Sequence, residues 1–297
     1  MVQLIIACIP AYNEERDIAP IIIKTLKFVD KIIVCDDGST DLTSKIAQNL
    51  GCELIIHKKR LGKGVALKAL FERALELRGD IIVTLDGDGQ NQPENIPSLI
   101  ENIQNGNVDM VVGSRFLTNS KDVPLYRSIG NSFFTSFTSL LSDEGFRDLT
   151  DSQSGFRAYS RKVLKYVKIQ EQGMGVDSEI LVSASKGSFK VNEVPISISY
   201  IGNEGSTFGP VHHSLDIFYS LFKIASEQKP LLYFGLPSLI MIFLGFLMGF
   251  RVLSIFFENG AIATGSAFIS VALIVVGFLG TTTAVVLQVI INIRKKI

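Results

Sequence analysis

The chain predicts an α/β domain built on a mostly parallel sheet, followed by an amphipathic helix and a hairpin of two membrane-spanning helices. Three observations carry that prediction. From Met1 to about Glu227 of the 297 residues, short apolar runs alternate with charged helical stretches, the rhythm that right-handed βαβ units produce. Polar residues cluster directly after several of those runs, where parallel strands collect ligand-binding groups at their carboxyl ends. Beyond Lys229 the composition changes. Leu231–Phe250 carries no charged residue over 20 positions and Ala261–Ile293 none over 33, and about 20 apolar residues suffice to cross a bilayer.

Taken in order, "VQLIIACI" (2–9) reads as a buried strand and "DIAPIIIKTLKFV" (17–29) as a helix. "KIIVC" (31–35) is a second strand, "DLTSKIAQNL" (41–50) a helix ended by Gly51, and "CELIIH" (52–57) a third strand. A helix over Lys63–Leu77 leads into a fourth strand, "DIIVTL" (80–85), and "VDMVVGS" (108–114) is a further one. Runs of this length, rich in β-branched residues and bounded by Gly, Asn and Asp, suit strands buried on both faces. After them the rhythm loosens, with helices expected at Leu125–Leu141, Arg161–Val167 and Asp177–Ser185 and a strand in "FKVNEVPISIS" (189–199).

The expected domains are therefore a soluble α/β unit over 1–210, an interfacial helix over 211–229 and two spans over 230–297. In "HSLDIFYSLFKIASE", Leu215, Phe218 and Phe222 share one helical face, widened by Ile217, Leu221 and Ile224, as in a helix lying among lipid headgroups. The second span exceeds one crossing, so tilt or projection beyond the lipid is expected. Lys229, Arg294, Lys295 and Lys296 flank the spans, while the turn Glu258-Asn259-Gly260 between them carries only an acid. By the positive-inside rule the soluble domain and both termini are cytoplasmic. Arg251 lies near the end of the first span and can snorkel to the interface. The opening "MVQLIIACIP" lacks the basic start and the length of a signal peptide. With 29 basic and 29 acidic side chains, the chain lacks the excess positive charge of an electrostatic nucleic-acid binder. Cys8, Cys35 and Cys52 are odd in number and without CxxC spacing, which fits reduced packing residues.

Three polar loops follow apolar runs: Pro10, Tyr12, Asn13 and Glu14 after the first, Asp36-Asp37-Gly38-Ser39 after the second, and Asp86-Gly87-Asp88-Gly89-Gln90 after the fourth. Two carboxylates at the mouth of a buried strand are costly unless a cation offsets them. An EF-hand is excluded, because Asn91 stands where its turn glycine belongs and Pro97 where its bidentate Glu belongs. Hard oxygen ligands suit Mg²⁺ or Mn²⁺, ions commonly shared between one or two carboxylates and substrate phosphates. Asp41 or Thr40 can cap the next helix and Gly38 can form the turn; the remaining acids at that strand end can accept a hydrogen bond from a nucleotide base. "LGKG", Leu61–Gly64, precedes a helix and can lie near phosphates, although it lacks the P-loop pattern and by itself reads as a turn.

"IPAYNEE", "VCDDGSTD", "GKG", "LDGDGQNQPE", "VGSRF" and "DSQSGFR" occur in this order between about Leu4 and Ser199. Together they resemble the family 2 glycosyltransferases of the dolichyl-phosphate mannose or glucose synthase type. The resemblance implies a Rossmann-like GT-A fold, a UDP- or GDP-linked sugar donor, Mg²⁺ or Mn²⁺, and dolichyl or another polyprenyl phosphate as acceptor. It implies that Pro10, Tyr12, Glu14 and Asp36 line the nucleoside pocket with Asp37 nearby, and that Lys63 serves the donor. Asp86 would contact ribose or metal, and Asp88 and Gln90 would ligate the metal. Arg115 and Arg127 would meet the acceptor phosphate, Arg being suited to bidentate phosphate recognition. Asp151, Ser154, Gly155, Phe156 and Arg157 would form the acceptor-side wall, with Arg157 adding charge. The reaction implied is an inverting transfer of one sugar, giving a β-linked lipid-phosphate sugar for glycan assembly such as protein glycosylation.

"GMGVDSEIL" is nearer the glucose-type members, which favours a UDP-sugar by analogy alone. His212 and His213 follow no fixed family pattern and read as exposed surface histidines. A processive polysaccharide synthase would carry a Q-x-x-R-W motif, and the chain has no Trp. A non-catalytic nucleotide-binding membrane protein on the same fold is the alternative from a different class, separated by turnover. Two spans are compatible with a lone hairpin or with a homo-oligomer.

Overall fold

Seven strands form one sheet in the order β3-β2-β1-β4-β6-β5-β7: β1 (Ile5–Ala11), β2 (Lys31–Asp36), β3 (Glu53–Ile56), β4 (Ile81–Thr84), β5 (Met110–Ser114), β6 (Arg157–Ser160) and β7 (Val191–Pro195). The computed structural model describes residues 3–117, 125–142, 146, 148–197, 218–219, 222–223, 226, 230–260 and 263–294. All neighbouring strands run parallel except β6, which is antiparallel to both β4 and β5. This is the expected mostly parallel α/β sheet, and β6 places the start of its own strand at the rim where its neighbours end.

Alternation along β1 explains why the run is apolar throughout. Ile6 and Cys8 enter the layer that holds Leu67, Leu70 and Phe71 of α3 (Lys63–Glu76), with α6 (Arg161–Tyr166) and α7 (Val176–Ser185). Ala7, Ile9 and Ala11 enter the opposite layer, with α1 (Ile18–Thr25) and α4 (Ile96–Gln104). Successive side chains point to opposite faces, so a strand covered by helices on both sides has no polar face to show. Cys8 and Cys35 are buried in the first layer and all three thiols are free, as packing residues should be. α2 (Thr43–Asn49) joins β2 to β3 and α5 (Leu125–Leu141) follows β5.

Two elements lie outside the sequence expectations. α4 buries Ile96, Leu99, Ile100 and Ile103 on one face, but Pro93 and Pro97 at its start resemble loop punctuation. β6 is four residues long and begins with arginine, so it lacks the apolar run by which the other central strands are recognised.

The chain divides into two compact units, Met1–Leu221 and Phe222–Ile297. In the second, a π-helical turn at Leu231–Gly235 leads into α8 (Leu236–Asn259), and α9 (Thr264–Arg294) follows. Leu231–Glu258 and Thr264–Ile293 are long and apolar enough to cross a membrane, with mean hydropathy 2.3 and 2.2. Only 11% and 17% of their most apolar windows are buried, whereas the core helix of a soluble protein would be mostly enclosed. α8 and α9 pack through small residues: Ser270 Oγ donates to the Gly245 carbonyl at 2.7 Å, and Gly277 lies against Ser238 and Ile242. Close approach at small residues is how helices associate in lipid. α8 runs past Arg251 and includes Glu258 and Asn259, so the turn begins only at Gly260. Of the expected interfacial helix, positions 218–219, 222–223 and 226 are described and helical; Leu215, Ile217, Leu221, Ile224, His212 and His213 lie outside the described residues.

Candidate active site

The carboxyl ends of β1 and β2 are stitched together by their loops. Asp37 donates its backbone N–H to the Ala11 carbonyl at 2.9 Å. Asn13 N–H donates to Ser39 Oγ (2.9 Å), Glu14 N–H to Thr43 Oγ1 (2.8 Å), and Thr40 N–H to Asn13 Oδ1 (2.9 Å). Asp41 accepts from the Thr43 N–H and hydroxyl at the start of α2, although Leu42 rather than Asp41 or Thr40 holds the N-cap position. Asp36 is buried and accepts from the Ser39 N–H at 2.8 Å and from the Ser44 hydroxyl. Asp37, also buried, holds the "LGKG" loop, accepting from the N–H groups of Leu61 (2.9 Å) and Gly62 (2.7 Å) and pairing with His57 Nδ1 at 2.7 Å. Tyr12 projects beside this loop with the Arg60 guanidinium 4.0 Å over its ring, a cation–π distance. Pro10 pairs across the sheet with Cys35.

The loop after β4 brings acids together. Burial and the neighbouring Asp88, Asp17, Asp86 and Asp41 push the Glu14 carboxyl up to about 8. Burial and Asp86 push Asp88 up to about 6, opposed by the Gln90 N–H and by Lys63. The Gln90 N–H reaches Asp88 Oδ1 at 3.1 Å. Lys63, the first residue of α3, sits between two carboxylates, with Nζ 2.8 Å from Asp86 Oδ1 and 3.0 Å from Asp177 Oδ2. Burial would lower the lysine pKa, but Asp177 and Asp86 raise it above its ordinary value. Gly155 makes this pair sterically feasible, since a Cβ there would stand 2.7 Å from Asp86 Oδ2 and 2.8 Å from Lys63 Nζ.

These residues fit a hard divalent cation. Among the described residues no three His, Cys, Asp or Glu side chains form a cage for a metal, but a site shared with substrate phosphate needs only one or two carboxylates. The mutual repulsion that raises Glu14 and Asp88 is relieved when a cation sits among them.

Beyond β5 the rim carries arginines held by buried partners. Arg115 donates from Nε to Asp151 Oδ2 at 2.6 Å, from NH2 to Oδ1 at 2.7 Å and from its backbone N–H at 3.2 Å. Asp151 is 0% exposed, so this is a bidentate pair on a buried acid. Arg157 is also 0% exposed. Its NH1 and NH2 donate to the carbonyls of Asp177 and Ser152, both at 2.8 Å, so the guanidinium braces the wall from beneath. Phe156 and Ser154 are buried alongside. Arg127 lies in the first turn of α5, and its side chain falls outside the described residues.

Two acids that the sequence reading did not single out as site residues are central here. Asp177 reaches Lys63 across 114 residues, and Glu193 accepts from Thr150 and Asp151 across 43 and 42. Neither sits after an apolar run with a polar cluster, so no local pattern marks them.

Comparison with known proteins identifies the family. A family model described as glycosyl transferase family 2 matches residues 6–167. The chain is 35% identical over 244 residues to a UDP-N-acetylglucosamine–dolichyl-phosphate N-acetylglucosaminyltransferase of Methanococcus voltae, covering 75% of this chain and 96% of that one. It is 32% identical over 259 residues to a dolichol-phosphate mannosyltransferase of Pyrococcus furiosus, covering 83% and 72%. In fold it is similar to the glucosyl-3-phosphoglycerate synthase of Mycobacterium tuberculosis solved with Mn²⁺, UDP and phosphoglyceric acid, with TM-score 0.58, 21% identity, and coverage of 75% and 78%. The rim chemistry, the sheet order and a family match across more than half of the chain lead to one conclusion: this chain is a glycosyltransferase and belongs to glycosyl transferase family 2.

Proposed function

We propose that the protein moves one sugar from a nucleotide sugar to dolichyl or another polyprenyl phosphate, with inversion at the sugar carbon, from the cytoplasmic face of a membrane. The observation that carries this reading is that one sheet rim gathers acids on one side and an oriented arginine on the other. Glu14, Asp86 and Asp88 crowd one side, and the other presents an arginine clamped by a buried acid, Arg115 on Asp151. The acidic side suits a diphosphate only with a cation between them, and the oriented arginine suits an anionic acceptor. The dolichyl-phosphate activities named for the similar chains of Methanococcus voltae and Pyrococcus furiosus support the acceptor class. Two apolar helices in the same chain support a lipid substrate, and the basic residues flanking them support the orientation.

In this reading Tyr12, Pro10 and the loop held by Asp36 and Asp37 receive the nucleoside, and Asp86, Asp88 and Gln90 hold Mg²⁺ or Mn²⁺. The bound ion would neutralise the departing diphosphate. Arg115 and Arg127 receive the acceptor phosphate, while Arg157 acts through the wall it braces. A phosphate oxygen attacks the sugar carbon from the face opposite the diphosphate, forming the new C–O bond as the old one breaks. A phosphate monoester with its second pKa near about 6 is already largely dianionic at neutral pH, so no strong general base is required. The experiment is mass spectrometry of lipid products after offering UDP-glucose, UDP-GlcNAc and GDP-mannose with polyprenyl phosphate. A β-linked sugar-phosphate lipid from one donor is expected; donor hydrolysis without any lipid product would overturn the acceptor assignment.

A further inference from the structure

Glu193 stands on β7, paired in register with Val112 of β5, and its half-buried carboxylate reaches the turn before β6. Both of its oxygens accept from the Thr150 N–H at 2.9 Å, Oε2 accepts from the Thr150 hydroxyl at 2.7 Å, and Oε1 from the Asp151 N–H at 3.0 Å. The same turn is held by Ser114 at the end of β5, whose Oγ lies 2.6 Å from Thr150 Oγ1, and by Asn131 of α5, whose Nδ2 donates to the Thr150 carbonyl at 2.9 Å. Asp151 thus has its backbone N–H fixed by one carboxylate while its own carboxylate fixes Arg115. Placing two acids together is unfavourable. Burial and Asp151 raise the Glu193 pKa, against the Thr150 and Asp151 donors that lower it. Only a carboxylate offers two acceptor oxygens to these donors at once.

We propose that Glu193 is a positioning residue for transfer: it locks the Thr150–Asp151 turn so that Asp151 presents the Arg115 guanidinium to the acceptor's phosphate. This rests on the reading of the acceptor as a phosphate. Glu193 touches neither substrate; it acts through two links, the Asp151 N–H and the Asp151 carboxylate. Gln in its place keeps the size but offers one acceptor oxygen instead of two: with that oxygen on the Thr150 and Asp151 N–H groups, its NH2 faces the Thr150 hydroxyl as a donor and reverses that bond. Because misplacement by about 1 Å can cost on the order of 100-fold, a large kinetic effect is expected from a small displacement.

The test compares full-length wild type, Glu193→Gln, Arg115→Lys and the double variant in detergent or nanodiscs. One readout is the Arg115 Nε–H nuclear magnetic resonance signal, assigned by its loss in Arg115→Lys. It should shift, or exchange faster, in Glu193→Gln. The other is kinetics: kcat/KM for polyprenyl phosphate should fall roughly 10- to 100-fold while UDP affinity and donor KM stay unchanged. In the double-variant cycle Glu193→Gln should add little once Arg115 is replaced. An unchanged Arg115 signal, or equal losses for donor and acceptor, would overturn the proposal and leave Glu193 a structural clamp. If wild type transfers nothing to polyprenyl phosphate, the acceptor reading fails, and the Arg115 signal alone decides the role of Glu193.

Discussion

Glu14 and Asp88 differ from ordinary surface acids because burial and their neighbours raise both, to about 8 and about 6. A carboxyl with a folded pKa above its unfolded one favours the fold while protonated. That contribution is complete below the unfolded values of about 4, and is lost as pH rises through about 6 for Asp88 and about 8 for Glu14. The Tm of metal-free protein should therefore fall between pH 5 and 8, less steeply in Glu14→Gln. Excess Mg²⁺ or Mn²⁺ should flatten the slope by offsetting the repulsion. Thermal melts across that range, with and without metal, check both; a slope indifferent to Glu14→Gln and to metal would remove the acid cluster as its cause.

Asp151 offers the second residue-scale prediction. Its carboxylate is spent on Arg115 at 2.6 and 2.7 Å, an arrangement for orienting a cation rather than for taking a proton. Asp151→Asn should lower the single-turnover rate, on the order of 10- to 100-fold from misplacement, without removing any limb of the pH profile. If the wild-type rate tracks deprotonation of an enzyme group and the Asn variant loses that limb, Asp151 is a base. The residue scale is also where the sequence was least legible. Asp86, Asp88 and Asp36 stand out because acid directly follows an apolar run. Asp177 and Glu193 take their roles from partners far along the chain, and only the folded sheet brings them together.

Among the elements, the loop over 170–173 and the start of α3 form one unit. Gly64 N–H donates to the Gln172 carbonyl at 2.9 Å, and a Cβ on Gly64 would overlap the Glu171 carbonyl oxygen. Glu179 of α7 holds the loop in turn, accepting from the Gln170 and Glu171 N–H groups. Ala at an exposed helical position would gain about 1 kcal/mol over Gly. Here the opposite sign is expected: Gly64→Ala should cost about 1–3 kcal/mol through overpacking and weaken nucleotide-sugar binding by displacing Lys63. Denaturant unfolding and a nucleotide-sugar titration check the two effects, and a neutral or stabilising result would mean that the loop yields. The strands of this layer were legible as apolar runs, and the sites followed from their carboxyl ends. β6 was not, because a four-residue strand opening with a buried arginine has no pattern of its own. Its place comes from β4 and β5, which leave a gap that an antiparallel strand fills.

At the scale of the whole molecule, the two compact units divide the work. Among the described residues both apolar layers of the sheet draw on positions up to Ile196, so the first unit holds a core of its own. In the second, Phe243, Phe250, Phe257 and Phe268 are exposed, an outward display of large apolar side chains that water would penalise and hydrocarbon would not. A chain ending before Lys229 should therefore remain folded and keep the full chain's affinity for the nucleotide-sugar donor. The contribution of the spans should appear only where the acceptor is itself held in lipid, because confining enzyme and substrate to one bilayer raises their effective concentration. Linking two partners in this way is worth on the order of 100-fold or more. The shortened chain should lose about that much in kcat/KM on long-chain polyprenyl phosphate in vesicles, yet keep its rate on a short, water-soluble prenyl phosphate. Equal rates for both chains on the vesicle substrate would show the hairpin to be dispensable for turnover. Equal losses on both substrates would instead mean that the second unit supports the active site itself.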